Sequence, residues 1–297
     1  MIKKMKCCLI LIVVLSASIV FAYGDNHPLT IEDLNRAVAI NPQGADAFYD
    51  RGILYEKQGD FSKAASDFSQ TIKINPDDLQ AYQARASAYV SLGQFTQAIV
   101  DYNKVIELNP QDANAYYNRG LAFANIGSFD SKAIFDFTQA IKIDPGYASS
   151  YHNRGLVWEK AGNVTQALKD LSKSIELDPT LAEGYYNRGI IYDKQGRLLD
   201  AINDFSKAIK LNPNYAEAYT NRGSIYIEQD DYNQARFDFT VAIEINPKLS
   251  QAYNNRAIVY YQLKQYAKAM DDLQKAKGLG FGVEPGFMAA VQKELDR

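Results

Sequence analysis

The spacing of hydrophobic and small residues along the chain predicts pairs of short helices. Tyr116, Gly120 and Phe123 follow one another at intervals of three to four residues, which places them on one face of a helix. A second set follows Gly127 and predicts the inward face of a second helix: Ala133, Phe137 and Ile141. The glycine between the two sets marks the turn. Each such segment is therefore a helix–turn–helix unit.

The unit recurs at a fixed interval. An Asn-Pro or Asp-Pro dipeptide ends each unit, and successive dipeptides are 34 residues apart except for one step of 35, where an extra residue lies near Ser128 to Ser131. Because the residue before a proline is pushed out of the α region, each dipeptide stops a helix. The seven dipeptides are Asn41-Pro42, Asn75-Pro76, Asn109-Pro110, Asp144-Pro145, Asp178-Pro179, Asn212-Pro213 and Asn246-Pro247.

Two more positions recur within the units. A small residue in the first helix lets the second helix approach closely, at Gly52, Ala86, Gly120, Gly155, Gly189, Gly223 and Ala257. A glycine there loses about 1 kcal/mol of helix propensity relative to alanine, so close packing is the better reason for it. The turn carries Gly59, Gly93, Gly127, Gly162 and Gly196. One hairpin cannot bury its apolar face alone, so stacked neighbours complete the core.

From about Leu29 to Gly282, these features resemble the tetratricopeptide repeat family, in which aromatic, small and proline positions recur in this order. The resemblance implies an all-α fold, a right-handed α-solenoid (superhelix) of stacked helix–turn–helix units. We expect seven repeats over residues 45–282, after a linker and capping half-repeat over residues 23–44 and before a C-terminal capping helix over residues 283–297. In the half-repeat, Thr30 is the expected N-cap of a lone helix that ends at Ile40.

Residues 1–22 have the layout of a secretory signal peptide. Three lysines precede an apolar run from Cys7 to Phe21, and the chain turns polar after Tyr23. We expect cleavage after Ala22 and export to the periplasm or the medium, with an uncleaved membrane anchor as the alternative. The two cysteines of the chain lie in this segment, so the mature protein has no disulfide framework and no stable membrane span.

The sixth place of most units holds an asparagine that the core pattern does not require. In tetratricopeptide proteins this place lies on the inner, concave wall, so the resemblance implies a peptide-binding groove. A row of carboxamides can donate to and accept from the backbone of an extended peptide. The candidate residues are Asn118, Asn153, Asn187, Asn221 and Asn255. Alternatively, these asparagines bond locally and face water.

The neighbouring fifth place carries flat side chains that add contact area with little rotamer entropy to lose. The candidates are Tyr49, Tyr117, His152 and Tyr186. No lysine occupies this place in any unit, which departs from the Lys–Asn clamp that some family members use for a partner's terminal carboxylate. Carboxylates expected on the inner wall are partly balanced by lysines, so the groove is mixed to mildly acidic. The carboxylates are Asp46, Glu159, Glu183, Asp193, Glu217 and Glu228, and the lysines are Lys57, Lys160 and Lys194.

An arginine precedes the small residue of every unit, and every second helix contains an aspartate. We interpret them as structural ion pairs, within or between neighbouring units, that fix the register of the helices. The arginines are Arg51, Arg85, Arg119, Arg154, Arg188, Arg222 and Arg256. The aspartates are Asp67, Asp101, Asp136, Asp170, Asp204, Asp238 and Asp272. Anion binding by these arginines is the less favoured interpretation, because paired charges attract anions poorly.

Composition and motifs disfavour other classes of function. The formal charge is −3, and no basic block exists after the first six residues, so nucleic-acid binding lacks an electrostatic source. The two histidines, His27 and His152, have no nearby nucleophile and no metal-ligand spacing. We therefore expect no enzyme activity, no metal and no cofactor.

The sequence predicts a scaffold or adaptor protein of the bacterial cell envelope. It would bind an extended peptide or a helix of a partner protein in the concave groove. Two alternatives stay open: a structural protein that self-associates, at least weakly, and a secreted factor that acts on host proteins.

Overall fold

A computed structural model describes residues 29–128 and 130–297 of the chain. The predicted signal peptide and its cleavage site lie outside the described residues. All regular structure within the described ranges is α-helical, in sixteen helices, which confirms the all-α prediction. The chain forms two compact units that divide after Pro110.

The first unit contains five helices. They are α1 (Ile31–Ile40), α2 (Ala45–Lys57), α3 (Phe61–Ile74), α4 (Leu79–Ser91) and α5 (Phe95–Leu108). The lone helix α1 packs on α2, while α2 with α3 forms hairpin 1 and α4 with α5 forms hairpin 2. Because α3 also packs on α4, the two hairpins are stacked.

The second unit contains eleven helices, which form hairpins 3 to 7 in pairs and end with a single helix. They are α6 (Ala113–Ile126), α7 (Asp130–Ile143), α8 (Ala148–Lys160), α9 (Val164–Leu177), α10 (Ala182–Lys194), α11 (Leu198–Leu211), α12 (Ala216–Glu228), α13 (Tyr232–Ile245), α14 (Ser250–Gln262), α15 (Tyr266–Gly278) and α16 (Pro285–Leu295). The second helix of each hairpin packs on the first helix of the next. Within each unit the hairpins therefore stack as predicted for a solenoid.

Successive first helices of the second unit also contact one another directly. We call the continuous surface that α6, α8, α10, α12 and α14 form the first-helix wall. It contains the fifth and sixth places of hairpins 3 to 7.

In hairpins 1, 3, 5 and 6, the small residue of the first helix is a glycine that faces a phenylalanine ring of the second. A Cβ atom on Gly120 would lie 2.9 Å from Cε1 of Phe137, and one on Gly223 would lie 2.9 Å from Cε1 of Phe239. Both rings are fully buried. The close approach that the sequence predicts is thus, in these hairpins, a contact between the phenylalanine ring and the glycine backbone.

The core of hairpin 3 differs in one residue from the prediction. Ala133 and Phe137 are buried as expected, but Ile141 is only partly buried, and Ala140 is completely buried beside it. The helical period explains the shift, since Ala140 rather than Ile141 lies one turn after Asp136 and Phe137 on the inward face.

The turn inside each hairpin uses a left-handed residue. The five predicted glycines have φ between 70° and 79°. Hairpins 6 and 7 make the same turn with Asp230 and Lys264, both at φ 57°, a conformation that non-glycine residues adopt at a cost. The turn geometry is therefore kept even where the glycine is absent.

The first and last helices have distinct ends. At α1, the Thr30 side chain accepts a hydrogen bond from the Asp33 amide at 3.2 Å, and the Asp33 carboxylate accepts one from the Thr30 amide at 3.1 Å, a complete capping box. At α16, Pro285 occupies the first turn, where its missing amide is not needed. Among the helices of residues 29–128 and 130–297, none combines the length and apolarity required to cross a membrane.

Candidate functional site

The structure brings together every predicted arginine with the aspartate of its own hairpin. In all seven pairs Nε and Nη2 of the arginine donate to the two carboxylate oxygens at 2.6–2.9 Å. The aspartate side chains are 0–8% exposed and those of the arginines 15–19%. A bidentate pair of this kind fixes the register of the two helices.

Six of these arginines also have a partner on the other side. Within a unit, Nη1 donates to a side chain sixteen residues earlier, on the second helix of the preceding element. The acceptors are Asn35, Ser69, Thr138, Ser172, Ser206 and Thr240, at 2.8–3.2 Å. The guanidinium group thus connects three helices. The pattern of charges in the sequence predicts the aspartate partner but not the second, uncharged one.

Aromatic rings one turn away cover the same guanidinium groups. Cζ of Arg222 lies 5.7 Å from the ring centre of Tyr219 and 5.9 Å from that of Tyr226. Arg188 lies between Tyr185 and Tyr192 in the same way, at 5.8 and 5.7 Å. Such cation–π contacts add to the interactions that hold the arginine side chain in place.

Burial raises the pKa of the Asp136 and Asp238 carboxyl groups, and the hydrogen bonds from their arginines offset this only in part. These carboxylates would be costly to bury without their partners. The geometry of the arginine–aspartate row is that expected of structural ion pairs.

The predicted asparagines and fifth-place residues form rungs between successive first helices. Nδ2 of Asn153 lies 3.0 Å from the Tyr117 hydroxyl, and Nδ2 of Asn221 lies 3.3 Å from the Tyr186 hydroxyl. Between them, Nδ2 of Asn187 lies 3.0 Å from Nε2 of His152. Each rung joins the sixth place of one hairpin to the fifth place of the hairpin before it.

The rungs change what the asparagines can offer to a ligand. Nδ2 of Asn153 also donates to the Ser149 carbonyl oxygen at 3.0 Å, so both N–H groups of that amide are engaged within the protein. Nδ2 of Asn187 and Nδ2 of Asn221 each use one N–H group in a rung, and the Oδ1 acceptor is available on all three residues. These asparagines can therefore accept from the N–H groups of a peptide, and Asn187 and Asn221 each keep one N–H group that can donate to a peptide carbonyl group. The rung bonds are local bonds of the kind that the sequence leaves open as an alternative, and they leave part of each carboxamide available to a ligand.

Three predicted site residues stand outside the rungs. Asn255 donates to the Ser224 hydroxyl at 3.1 Å. The carboxamide of Asn118 makes no hydrogen bond within residues 111–128 and 130–297. Tyr49 belongs to the first unit, where its ring lies 5.6 Å from that of Phe68. The part of the predicted site in which the residues bond to one another in a regular pattern is hence the three-rung segment of hairpins 3 to 6.

Two tyrosines that the sequence analysis did not identify pack against the tyrosines of the first and third rungs. Tyr147 stacks on Tyr117 with ring centres 4.9 Å apart, and Tyr215 stacks on Tyr186 at 4.6 Å. Burial raises the pKa of Tyr147 to about 12, and it also raises the pKa of Tyr215. Their recurrence in the loop before a first helix is the signal by which the sequence could have shown them.

His152 occupies the tyrosine place of the middle rung. Burial lowers the pKa of its imidazole, although the nearby Glu183 acts in the opposite direction. The neutral ring can accept from the Asn187 amide through Nε2, with the proton on Nδ1. The arrangement fits a structural acceptor more closely than a general base.

A cavity of about 240 Å³ opens on the first-helix wall beside the first rung. Its lining includes the apolar residues Leu121, Phe137 and Val157 and the polar residues Asn153 and Lys160. Lys160 is held there by Asp130 at 2.9 Å and by the carbonyl oxygen of Gly127 at 3.1 Å. An apolar pocket with a few fixed polar groups is typical of a site that receives a side chain.

The described residues do not contain a group of three or more histidine, cysteine, aspartate or glutamate side chains that could hold a metal ion. Within the same ranges, the wall offers aromatic surface, amide acceptors and the cavity beside the first rung. These features suit binding of a polypeptide.

Comparison with family models covers most of the sequence. Models described as tetratricopeptide repeat match residues 21–87, 113–147, 182–215, 205–237 and 239–271. A model described as TPR repeat matches residues 86–127 and 160–196. A search of curated proteins finds no match.

Three solved structures with the same fold illustrate the similarity. MamA is 26% identical with a TM-score of 0.52, over 56% of this chain and 96% of its own. YrrB, described as a TPR protein with an unusual peptide-binding site, is 25% identical with a TM-score of 0.51, over 63% and 96%. The C-terminal part of a TPR repeat-containing protein from Cytophaga hutchinsonii is 20% identical with a TM-score of 0.65, over 83% and 99%, and shows the fold alone.

Proposed function

The chain is a tetratricopeptide repeat protein, and from that premise we propose that it is a scaffold or adaptor that binds a partner protein along the first-helix wall. The observation that carries the proposal is the row of three rungs beside a cavity on one wall. The rungs present one Oδ1 acceptor per hairpin, and the cavity provides a place for an apolar side chain.

The spacing of the rungs suits an extended segment. Packed helices lie about 8–10 Å apart, and an extended chain advances about 3.3 Å per residue. One Oδ1 acceptor therefore meets the backbone at about every third residue. Each hydrogen bond contributes about 0.5–1.5 kcal/mol net, so affinity requires the cavity in addition to the rungs. YrrB, which is described as having a peptide-binding site, supports the same class of ligand.

The test is a selection of peptide binders with a matched pair of variants. A random displayed peptide library is selected on the full chain, and the affinity of the selected peptides is measured by fluorescence anisotropy. Ala124→Trp fills the cavity at its edge, whereas Asn203→Trp adds the same ring at an exposed position on α11. Circular dichroism checks that both variants fold.

We expect the selected peptides to lose affinity for Ala124→Trp by at least tenfold and to bind Asn203→Trp as they bind the parent chain. Failure to select any binder, or equal affinity for the two folded variants, would remove the first-helix wall as the binding surface.

We also propose that the protein works in the cell envelope or outside the cell. The support is the lysine-flanked apolar run that ends near Ala22, together with the lack of cysteine after Cys8. N-terminal sequencing of the protein from fractionated cells tests this proposal. A chain that starts at Tyr23 in the envelope or medium is expected, and one that starts at Met1 in the cytosolic fraction would contradict it.

A further inference from the structure

On the first-helix wall of hairpins 4 to 6, the cationic side chains are paired, whereas several carboxylates are not. Its arginines are held by their own aspartates, as described above. Lys160 is paired with Asp130, and Lys194 is paired with Glu159 at 2.6 Å. The cations of this part of the wall are therefore already neutralised.

Four carboxylates on the same wall have no such partner. Within the described residues of the second unit, 111–128 and 130–297, four side chains make no ion pair and no side-chain hydrogen bond: Glu183, Asp193, Glu217 and Glu228. Glu183 and Glu217 lie in the first turns of α10 and α12, where a carboxylate also favours the helix dipole. Asp193 and Glu228 lie in the last turns, where the dipole disfavours them. Helix stability does not account for that second pair.

The carboxylates surround an aromatic platform. Tyr186 and Tyr215 stack at 4.6 Å, and the charges of Glu183 and Glu217 both help to raise the pKa of Tyr215, which places them near its hydroxyl. Asp193 is close enough to Glu228 for that charge to raise its pKa as well, after burial. A face of tyrosine flanked by unpaired carboxylates is the complement of a guanidinium or ammonium group.

The cavity provides an independent anchor on the same wall. It lies between α6 and α8, whereas the tyrosine platform lies between α10 and α12, two first-helix spacings further along. At about 8–10 Å for each spacing, the two places are roughly 16–20 Å apart, which an extended chain spans with five or six residues.

We propose that the first-helix wall of hairpins 3 to 6 recognises an extended segment of a partner protein that carries an apolar residue and, five or six positions away, an arginine or lysine. The apolar side chain fills the cavity edged by Asn153 and Lys160. The cationic side chain lies on the Tyr186–Tyr215 platform between Glu183 and Glu217. This inference rests on the proposed function and adds the chemical class of the partner to it.

The test uses the peptides selected on the full chain and a pair of charge variants. Glu183→Gln with Glu217→Gln removes two carboxylates from the wall. Glu244→Gln with Asp271→Asn removes two exposed carboxylates from second helices and changes the net charge by the same amount. Each selected peptide is compared with a form in which its basic residue is replaced by glutamine, at low and at high salt.

Selected peptides should be enriched in an apolar and a basic residue at the stated separation. We expect the wall variant to bind them about 3–10-fold more weakly at low salt, the control variant to bind within twofold of the parent, and the difference to shrink at high salt. Replacement of the basic residue by glutamine should weaken binding to the parent but hardly to the wall variant.

Peptides that bind the parent regardless of charge, or that bind both charge variants alike, would overturn the inference. In that case the sensitivity to Ala124→Trp would still support the proposed function. If no peptide is selected, or if selected peptides ignore Ala124→Trp, the proposed function fails and the inference fails with it.

Discussion

Nη1 of Arg222 donates to the hydroxyl of Ser206 at 2.8 Å, across the boundary between two hairpins. Ser206 lies sixteen residues before the arginine, and Asp238, which takes the other two bonds, lies sixteen residues after it. The arginine is thus the point where one hairpin is fastened to the preceding one. Stability of a stacked array depends on such contacts between neighbours.

Arg222→Met should be strongly destabilising. The change leaves the Asp238 carboxylate, which is completely buried, without a counter-charge, and loss of one partner of a buried pair costs about 3–5 kcal/mol. Denaturant unfolding followed by circular dichroism measures the loss. The control is Arg36→Met, because the Arg36–Glu32 pair is 60% and 75% exposed and is worth less than about 1 kcal/mol. Similar losses for the two variants would contradict a structural role of the buried pair.

Ser150→Ala and Ser174→Ala should each stabilise the protein. Both hydroxyl oxygens are buried in hairpin 4 without a hydrogen-bond partner among the described residues, and an unsatisfied buried polar group costs about 1–3 kcal/mol. Hairpin 6 has alanine at the two equivalent positions, at Ala218 and Ala242.

Ser172→Ala provides the opposite control on the same helix as Ser174. Its hydroxyl accepts from Nη1 of Arg188 at 3.1 Å, so its removal should destabilise by about 0.5–1.5 kcal/mol. Thermal or denaturant unfolding of the three variants gives the signs. Stabilisation by Ser172→Ala, or destabilisation by the other two, would refute this account of the buried hydroxyls.

The repeat period, the X-Pro dipeptides that end the helices and the turn glycines suffice to predict the hairpins, because proline and glycine act locally on the backbone. A left-handed turn without glycine is harder to predict from the sequence. Asp230 and Lys264 adopt this conformation, although neither residue type requires it. The pairing of Arg222 with Asp238 follows from charge, whereas its bond to Ser206 does not, since serine is a common surface residue.

The asparagine rungs show why the candidate site is harder to predict than the fold. Whether Asn153 bonds to a ligand or to Tyr117 depends on the distance between two neighbouring helices. The sequence period gives the number of residues between repeats but not that distance. The cavity depends on the same spacing, so it too emerges only from the packed helices.

Gly223→Ala should be destabilising, although alanine is the better helix former by about 1 kcal/mol. The added Cβ would lie 2.9 Å from the Phe239 ring, and overpacking of this kind costs about 1–3 kcal/mol. Hairpin 7 combines Ala257 with Leu273 at the equivalent positions. Adding Phe239→Leu to Gly223→Ala should therefore cost less than the sum of the two single changes. Additive losses in the unfolding free energies of the four chains would show that ring and backbone are not in close contact.

His152 makes the stability of hairpin 4 depend on pH. Burial lowers the pKa of its imidazole below the ordinary 6.5, so the unfolded chain takes up a proton at a higher pH than the folded one. Stability should fall as the pH drops through 6.5 and continue to fall until the folded-state pKa is passed. Protonation also removes the Nε2 acceptor that faces Asn187.

His152→Tyr should abolish this contribution, because tyrosine holds the same place at Tyr117 and Tyr186 and accepts the same bond without titrating in this range. The reciprocal change Tyr186→His should introduce a second drop of the same sign. Unfolding free energies at pH 8 and pH 5 test both changes, and the gap between His152→Tyr and the parent chain is expected to widen in favour of tyrosine at pH 5. Parallel behaviour of all three chains between these pH values would mean that the imidazole is solvated, and the middle rung would then be open to water in solution.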